Sequence, residues 1–345
     1  TVFLSDMWRS LGFILIGIAA VYLYTKNIFK APVLYIALIL CTTIDLVGVG
    51  KRYLTFDNFI EPVEYENSYA DYNADILIKR DPGFYRVLNL AFKNQADGPF
   101  QVSVNQSFND AIASYKHNTI GGYFPAKLGI YADLVQNQLY KNIERWGANP
   151  AAKDSFRVLN MLNMKYVIVP DQNNPKQTAA ITNPYAMGNC WLVKDIQYVK
   201  NADEEMAALD KIDPATTAVI NEKFKSEVGA FTPSNDSAAF IKLIENKNDE
   251  AKYEFNSSTS QFAVFSEIYY SKGWDAYVDG KKVPYCKVNY VLRGMSVPAG
   301  KHTIEFKFDS SLIRTSETLA KASGIFSIIF VLFCIFMIWK TNRKK

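Results

Sequence analysis

The chain has 345 residues, enough for two or three domains, and is 49% hydrophobic and 21% charged. Its net charge of +4 comes without a basic stripe or arginine clustering, which excludes the electrostatic footprint of a nucleic-acid binder. Four cysteines set no disulfide framework, and no Cys/His grouping has zinc spacing.

Three apolar runs stand out along the chain. Leu11 to Tyr24 is extended upstream by Met7 and Trp8, with Arg9 near one end, where a long side chain snorkels. Ala31 to Gly50 is interrupted only by Asp45, and Leu319 to Trp339 closes the chain. Each is near the ~20 residues a helix needs to cross ~30 Å of hydrocarbon. Each is apolar all round rather than amphipathic, which predicts membrane spans. With three spans, the Thr25–Lys30 link and the tail after Trp339 share one side. Lys26, Lys30, Lys340, Arg343, Lys344 and Lys345 make that side cytoplasmic, against Arg9, Lys51, Arg52 and Arg314 opposite. The body between them is then extracytoplasmic. The first residue is Thr1 and no signal-peptide pattern follows, so the chain is expected to be the C-terminal part of something longer.

The fold class that follows is membrane-anchored α+β. Residues 1–50 form two transmembrane helices as a hairpin, and residues 51–250 an extracytoplasmic mixed α/β domain. Residues 251–316 form an antiparallel β-sandwich or jelly-roll-like domain, and residues 317–345 a last span with a basic tail. Within the mixed region, FYRVLNL, KYVIVP and CWLVKDIQYV have strand composition. Asp154 is a candidate cap for a helix to Leu162, and NADEEMAALDK reads as a short capped helix. From Tyr253 to Phe308 short alternating stretches are separated by turns, Asp279-Gly280 being the strongest hairpin signal.

The stretch with the most chemistry is Tyr115 to Leu134. It holds His117, a Gly121-Gly122 bend and Tyr123, and a helix is expected from near Pro125. Lys127, Tyr131 and Leu134 would then share one helix face. Such a loop reads either as a plain surface connection or as a binding loop. His117 is a candidate general base or proton donor, or a residue that hydrogen-bonds the loop. Lys127 is a candidate phosphate contact or part of a solvated face. Asp45 is either a polar group at the rim of a cavity or an interfacial residue held by Lys51 or Arg52. Tyr269, Tyr270, Trp274 and Tyr277 stack on sugars or fill a core. Cys190 and Cys286 are able to pair only in an oxidising compartment. No Ser–His–Asp grouping, phosphate loop or dinucleotide fingerprint is visible.

YKHNTIGGYFPAKLGIYADLV resembles a signature of YfhO-type bacterial membrane proteins, and RVLNMLNMKYVIV and NPYAMGNCWLV look like their next segments. FSEIYYSKGWDAYVDGKKVPYCKVNYVLRGMSVPAGKHTIEF is similar to their Val-Asp-Gly and Val-Pro-Ala-Gly-x-His end. Phe124 stands where the family often has His, Asn118-Thr119 replaces a Lys-Ser type pair, and Ser271 replaces a proline. The loss of that second histidine counts against proton transfer by this loop.

The resemblance implies a multi-pass protein of the bacterial cytoplasmic (inner) membrane related to GT-C glycosyltransferases. These take a sugar from a polyprenyl-phosphate donor and pass it to an envelope glycan. Their catalytic acid usually follows the first span, so no catalytic residue carries over to this chain. No cofactor is expected here, and a divalent metal, if used, belongs to that N-terminal part. His117, Tyr123, Lys127, Tyr131 and Asp45 are the candidate donor or acceptor contacts. The alternative is a non-enzymatic envelope scaffold that binds glycan or a partner. The bilayer is a partner in both.

Overall fold

The computed structural model describes residues 2–95, 98–229 and 236–343. The chain divides into two compact units, Thr1–Ala70 and Asp71–Lys345.

The first unit is a helical hairpin, α1 (Val2–Thr25) and α2 (Ala31–Tyr53), followed by a short α3 (Pro62–Ser68). Pro32 sits in the first turn of α2, where a missing N–H costs nothing. Both long helices are apolar and long enough to cross a membrane. Arg9 and Asp45 lie about equally far from the turn, so the antiparallel pairing brings Arg9 Nε to 3.3 Å from Asp45 Oδ1. Arg52 reaches Asp6 instead, at 2.5 Å. This corrects one expectation: Asp45 is held by Arg9 rather than by Lys51 or Arg52.

In the second unit the chain runs through α4 (Asn73–Ile78), β1 (Arg86–Asn89), β2 (Ala91–Lys93) and β3 (Phe100–Val102). It continues through α5 (Gly129–Leu134), α6 (Tyr140–Ala148), α7 (Arg157–Met161), β4 (Met164–Pro170) and β5 (Thr178–Thr182). Next come β6 (Cys190–Val193), β7 (Asp195–Val199), α8 (Ala202–Ala208), β8 (Thr217–Asn221) and α9 (Lys225–Val228). An antiparallel run follows: β9 (Phe240–Asn246), β10 (Glu250–Ser257), β11 (Gln261–Ile268), β12 (Trp274–Val278) and β13 (Lys281–Val283). It ends with β14 (Cys286–Val288), β15 (Leu292–Val297), β16 (Gly300–Phe308) and the long α10 (Ser311–Asn342). α10 is the third helix apolar and long enough to span a membrane, and Lys344 and Lys345 of the expected basic tail lie outside the described residues.

Two antiparallel sheets, in the orders β13-β12-β16-β10-β9 and β14-β15-β11-β6, enclose a core of Tyr253, Phe255, Phe265, Met295, Ile304 and Phe306. β10 alternates strictly between buried and half-buried positions, as a strand with one core face must. β11 is different, with six successive buried residues. Its second face packs Phe262 and Val264 into another core with Leu134, Leu139, Phe156 and Val167. Apolar burial on both faces explains why QFAVF does not alternate. β6 pairs with β11, Val193 opposite Phe262, so the sheet draws a strand from nearly seventy residues upstream.

Some local expectations shift. The helix capped at Asp154 is a 3-10 turn, Lys153–Ser155, followed by α7 from Arg157. α8 forms as its sequence predicts, with the Asn201 side chain accepting from Glu204 N–H. Cys190 and Cys286 are both free thiols, and burial pushes the Cys190 thiol up to about 12. Trp274 and Tyr285 pack against the sandwich core, while Tyr270 is exposed.

Candidate functional site

The candidate site is built where residues 105–131 fold back on β1. Val87 N–H donates to Asn118 O at 2.8 Å and Ile120 N–H to Val87 O at 2.9 Å, so residues 118–120 run beside β1 through a single parallel bridge at Thr119. Ile120 is thereby buried. The chain then turns away at Gly121-Gly122, and the two glycines serve different ends. Gly122 has φ +121°, a conformation costly for any residue with a Cβ. At Gly121 a Cβ would lie 1.8 Å from Ser107 O, so backbone approaches backbone there with no room for a side chain. Gly122 N–H donates to that same carbonyl at 2.7 Å.

Pro125 opens a turn rather than a helix, a correction to the expectation. Leu128 is extended (φ −65°, ψ 123°) and α5 begins only at Gly129. Lys127 is therefore not on the helix face of Tyr131 and Leu134. Its Nζ donates to Phe108 O at 2.9 Å, which ties the turn to the preceding loop. Tyr131 is on α5, and its hydroxyl donates to Ile120 O at 2.5 Å. Burial pushes that phenol up to about 12, so it is a hydrogen-bond donor throughout the physiological range.

These bonds hold open a cleft of about 350 Å³, lined in part by Arg86, Tyr123, Phe124, Lys127, Tyr131 and Ile268. Among the described residues its lining contains two cations, Arg86 and Lys127, and no carboxylate. Arg86 donates from Nη1 to Leu162 O at 2.9 Å and to Ser266 Oγ at 3.0 Å, both neutral acceptors. Behind the Ile268 wall lies Arg293, only 3% exposed, with Nε donating to Ile268 O at 3.3 Å and its guanidinium 4.2 Å from the Trp274 ring. The sequence reading did not single out Arg86 or Arg293. Arg86 stands inside FYRVLNL, where a cation interrupting a strand-like run was the available signal.

Of the five candidates, Tyr123, Lys127 and Tyr131 come together in this cleft. His117 does not line it. It is 5% exposed, on the α4 side of the loop, with Nε2 2.8 Å from Asp75 Oδ1. The neighbouring Lys116 is 7% exposed, and its Nζ donates to Asp75 Oδ2 at 2.7 Å. Asp75 thus clamps α4 to the loop. Burial alone would raise its carboxyl pKa, but hydrogen bonds from His117, Lys116 and the Tyr72 N–H outweigh that and bring it to about 2. The folded value lies below the unfolded one. The stabilisation is therefore fully present above the ordinary value of 3.8 and is lost as pH falls through about 2. Acid titration should release the 112–122 loop below pH 4, read as faster amide exchange there, whereas Asp75→Asn should show no such step. Asp45 belongs to the other compact unit, paired with Arg9.

A second polar cluster explains the motif at the end of the body. Asp279 Oδ1 accepts from Thr303 N–H at 2.9 Å and Oδ2 lies 2.7 Å from His302 Nδ1. Asp279, Gly280 and Gly300 have φ of +49°, +76° and +129°. The Val-Asp-Gly and Pro-Ala-Gly-x-His segments are thus two turns locked to each other, a structural role. Among the described residues no three His, Cys, Asp or Glu side chains converge to hold a metal ion.

Among the described residues there are three apolar helices of membrane-spanning length, an α+β body and a cleft lined by two cations. Residues 232–319, which cover most of the antiparallel strands and the first turns of α10, match the family described as Bacterial membrane protein YfhO. Over that segment, about a quarter of the chain, the sequence is similar to YfhO-type bacterial membrane proteins. The Tyr115–Leu134 stretch lies outside the matched residues. No curated protein and no solved structure matches the chain.

Proposed function

We propose that the protein takes part in transferring sugar from a polyprenyl-phosphate donor to a cell-envelope glycan, and that the cleft holds the donor's phosphate and sugar. The body lies on the extracytoplasmic side of the inner membrane in this reading, supported by the lysines of the Thr25–Lys30 link and by Lys340 and Arg343. The observation that carries the reading is the cleft's composition: Lys127 and Arg86 with Tyr123 and Tyr131, and no carboxylate. Lys127 and Arg86 supply charge for a phosphate oxygen, and the tyrosines supply ring faces and hydroxyls for a sugar. With no acid in the lining, the carboxylate for the transfer comes from outside the cleft. Asp45 and His117 serve hairpin pairing and loop anchoring.

Lys127→Met keeps the aliphatic stem and removes the charge. Losing a charged hydrogen bond worth about 1.5–3 kcal/mol should cut transfer about tenfold or more in the full-length protein. Lys301→Met, at an exposed position, should leave transfer unchanged. Wild-type transfer by folded Lys127→Met overturns the donor-binding role. The same lack of a cleft carboxylate favours a second reading, a scaffold that binds anionic glycan without transferring it. That reading predicts that envelope assembly suffers while purified wild-type protein transfers nothing.

A further inference from the structure

The rim of the cleft carries large apolar side chains that the body leaves open to solvent. Tyr123 is 58% and Phe124 64% exposed, and Tyr115 and Ile112 of the preceding 3-10 turn are exposed as well. α4, clamped to this loop through Asp75, exposes Ile76 and Leu77. Among the other described residues of 71–310 the exposed large apolar side chains are Val102, Ile181, Tyr270 and the β9 pair Phe240 and Ile244. Contiguous apolar patches on a folded body mark contact with another protein or a membrane.

The covalent path points to the membrane. Ile268, a wall of the cleft, is five residues from Gly273, at most about 18 Å along an extended chain. Gly273 O accepts from Asp309 N–H at 2.5 Å, and Asp309 lies just before α10. The cleft wall therefore lies within about 30 Å of the point where the chain passes into its third apolar helix. The patch has the make-up of an interfacial surface: tyrosine and phenylalanine beside aliphatic residues, with exposed Lys79 and Arg80 at the end of α4.

We infer that the cleft rim, Ile112–Tyr115 with Tyr123, Phe124 and the exposed face of α4, seats in the headgroup layer of the bilayer. The cleft then opens at the depth where an amphiphile presents its head. This inference deepens the proposed function by giving a lipid-linked ligand direct access, but its test needs no ligand.

The test uses the full chain in lipid nanodiscs, with an environment-sensitive fluorescent amino acid placed at Phe124, and separately at Tyr115. A control carries it at Lys301, at the start of β16 and so at the opposite end of that strand from α10. Phosphatidylcholine with a nitroxide near the glycerol should quench the Phe124 and Tyr115 probes at least about twofold, with little effect at Lys301. Quenching at both rim positions no stronger than at Lys301 overturns the inference. So does a blue shift that grows with protein-to-nanodisc ratio and ignores the nitroxide, which would assign the patch to a second copy. Failure here with intact Lys127 dependence of transfer removes the membrane seat and leaves the donor site standing.

Discussion

Replacing Asp75 with alanine is expected to cost the body about 3–5 kcal/mol, the usual penalty for breaking a buried ion pair by removing one partner. Lys116 and His117 are both nearly inaccessible to water, and Asp75 is the carboxylate that each of them touches within 3 Å. Asp71, at 3.8 Å from Lys116, is a second and longer ion pair that offsets part of the loss. The loss is a large part of a typical stability of about 5–15 kcal/mol. In detergent the thermal midpoint of the body should fall by roughly 6–20 °C, at about 2–4 °C per kcal/mol for a body of this size. Adding Lys116→Met should recover part of that loss, since an apolar replacement removes the stranded charge. An Asp75→Ala protein as stable as wild type would mean that the clamp contributes nothing.

Gly121→Ala is expected to damage stability and the cleft together. The new methyl group would meet Ser107 O at 1.8 Å, and that carbonyl is fixed by the Gly122 N–H while the Ser107 hydroxyl donates to Asn89 O. Relief requires one backbone segment to move, an overpacking cost of about 1–3 kcal/mol or more. The movement also displaces Tyr123 and Phe124, the next residues at the rim. Gly129→Ala gives the contrast, because nothing lies within 4 Å of a Cβ there and the residue begins a helix. It should be neutral or stabilising by up to about 1 kcal/mol. Equal unfolding midpoints for the two alanine variants would contradict the close approach at Gly121.

The parts legible in the sequence are those set by local pattern. Three runs apolar on every face form three helices long and apolar enough to cross a membrane, where a soluble helix would carry a polar stripe. The alternation of β10 and the Asp279-Gly280 turn give an antiparallel region for the same reason: period and turn chemistry are written in neighbouring residues. What escaped is long-range. Asp75 meets Lys116 and His117 some forty residues on, and nothing local marks that pairing. β6 joins β11 across nearly seventy residues, and Arg86 reaches the cleft because β1 runs beside residues 118–120. Lys127 was placed on a helix by its spacing to Tyr131, but the carbonyl of Phe108 and an extended Leu128 hold it in a turn. His117 shows the opposite lesson. Its residue type admits proton transfer or loop anchoring, and the structure buries it 2.8 Å from Asp75, away from the cleft lining.

The central claim, that the cleft holds the head of an anionic prenyl lipid, is tested most directly by photocrosslinking. A diazirine-bearing farnesyl phosphate would be added to the full chain in nanodiscs, and labelled peptides mapped. The account predicts label within residues 108–135 that is displaced by unlabelled farnesyl phosphate and falls about tenfold in Lys127→Met. Label confined to the apolar helices, or label in the cleft region indifferent to competitor and to Lys127→Met, would contradict it.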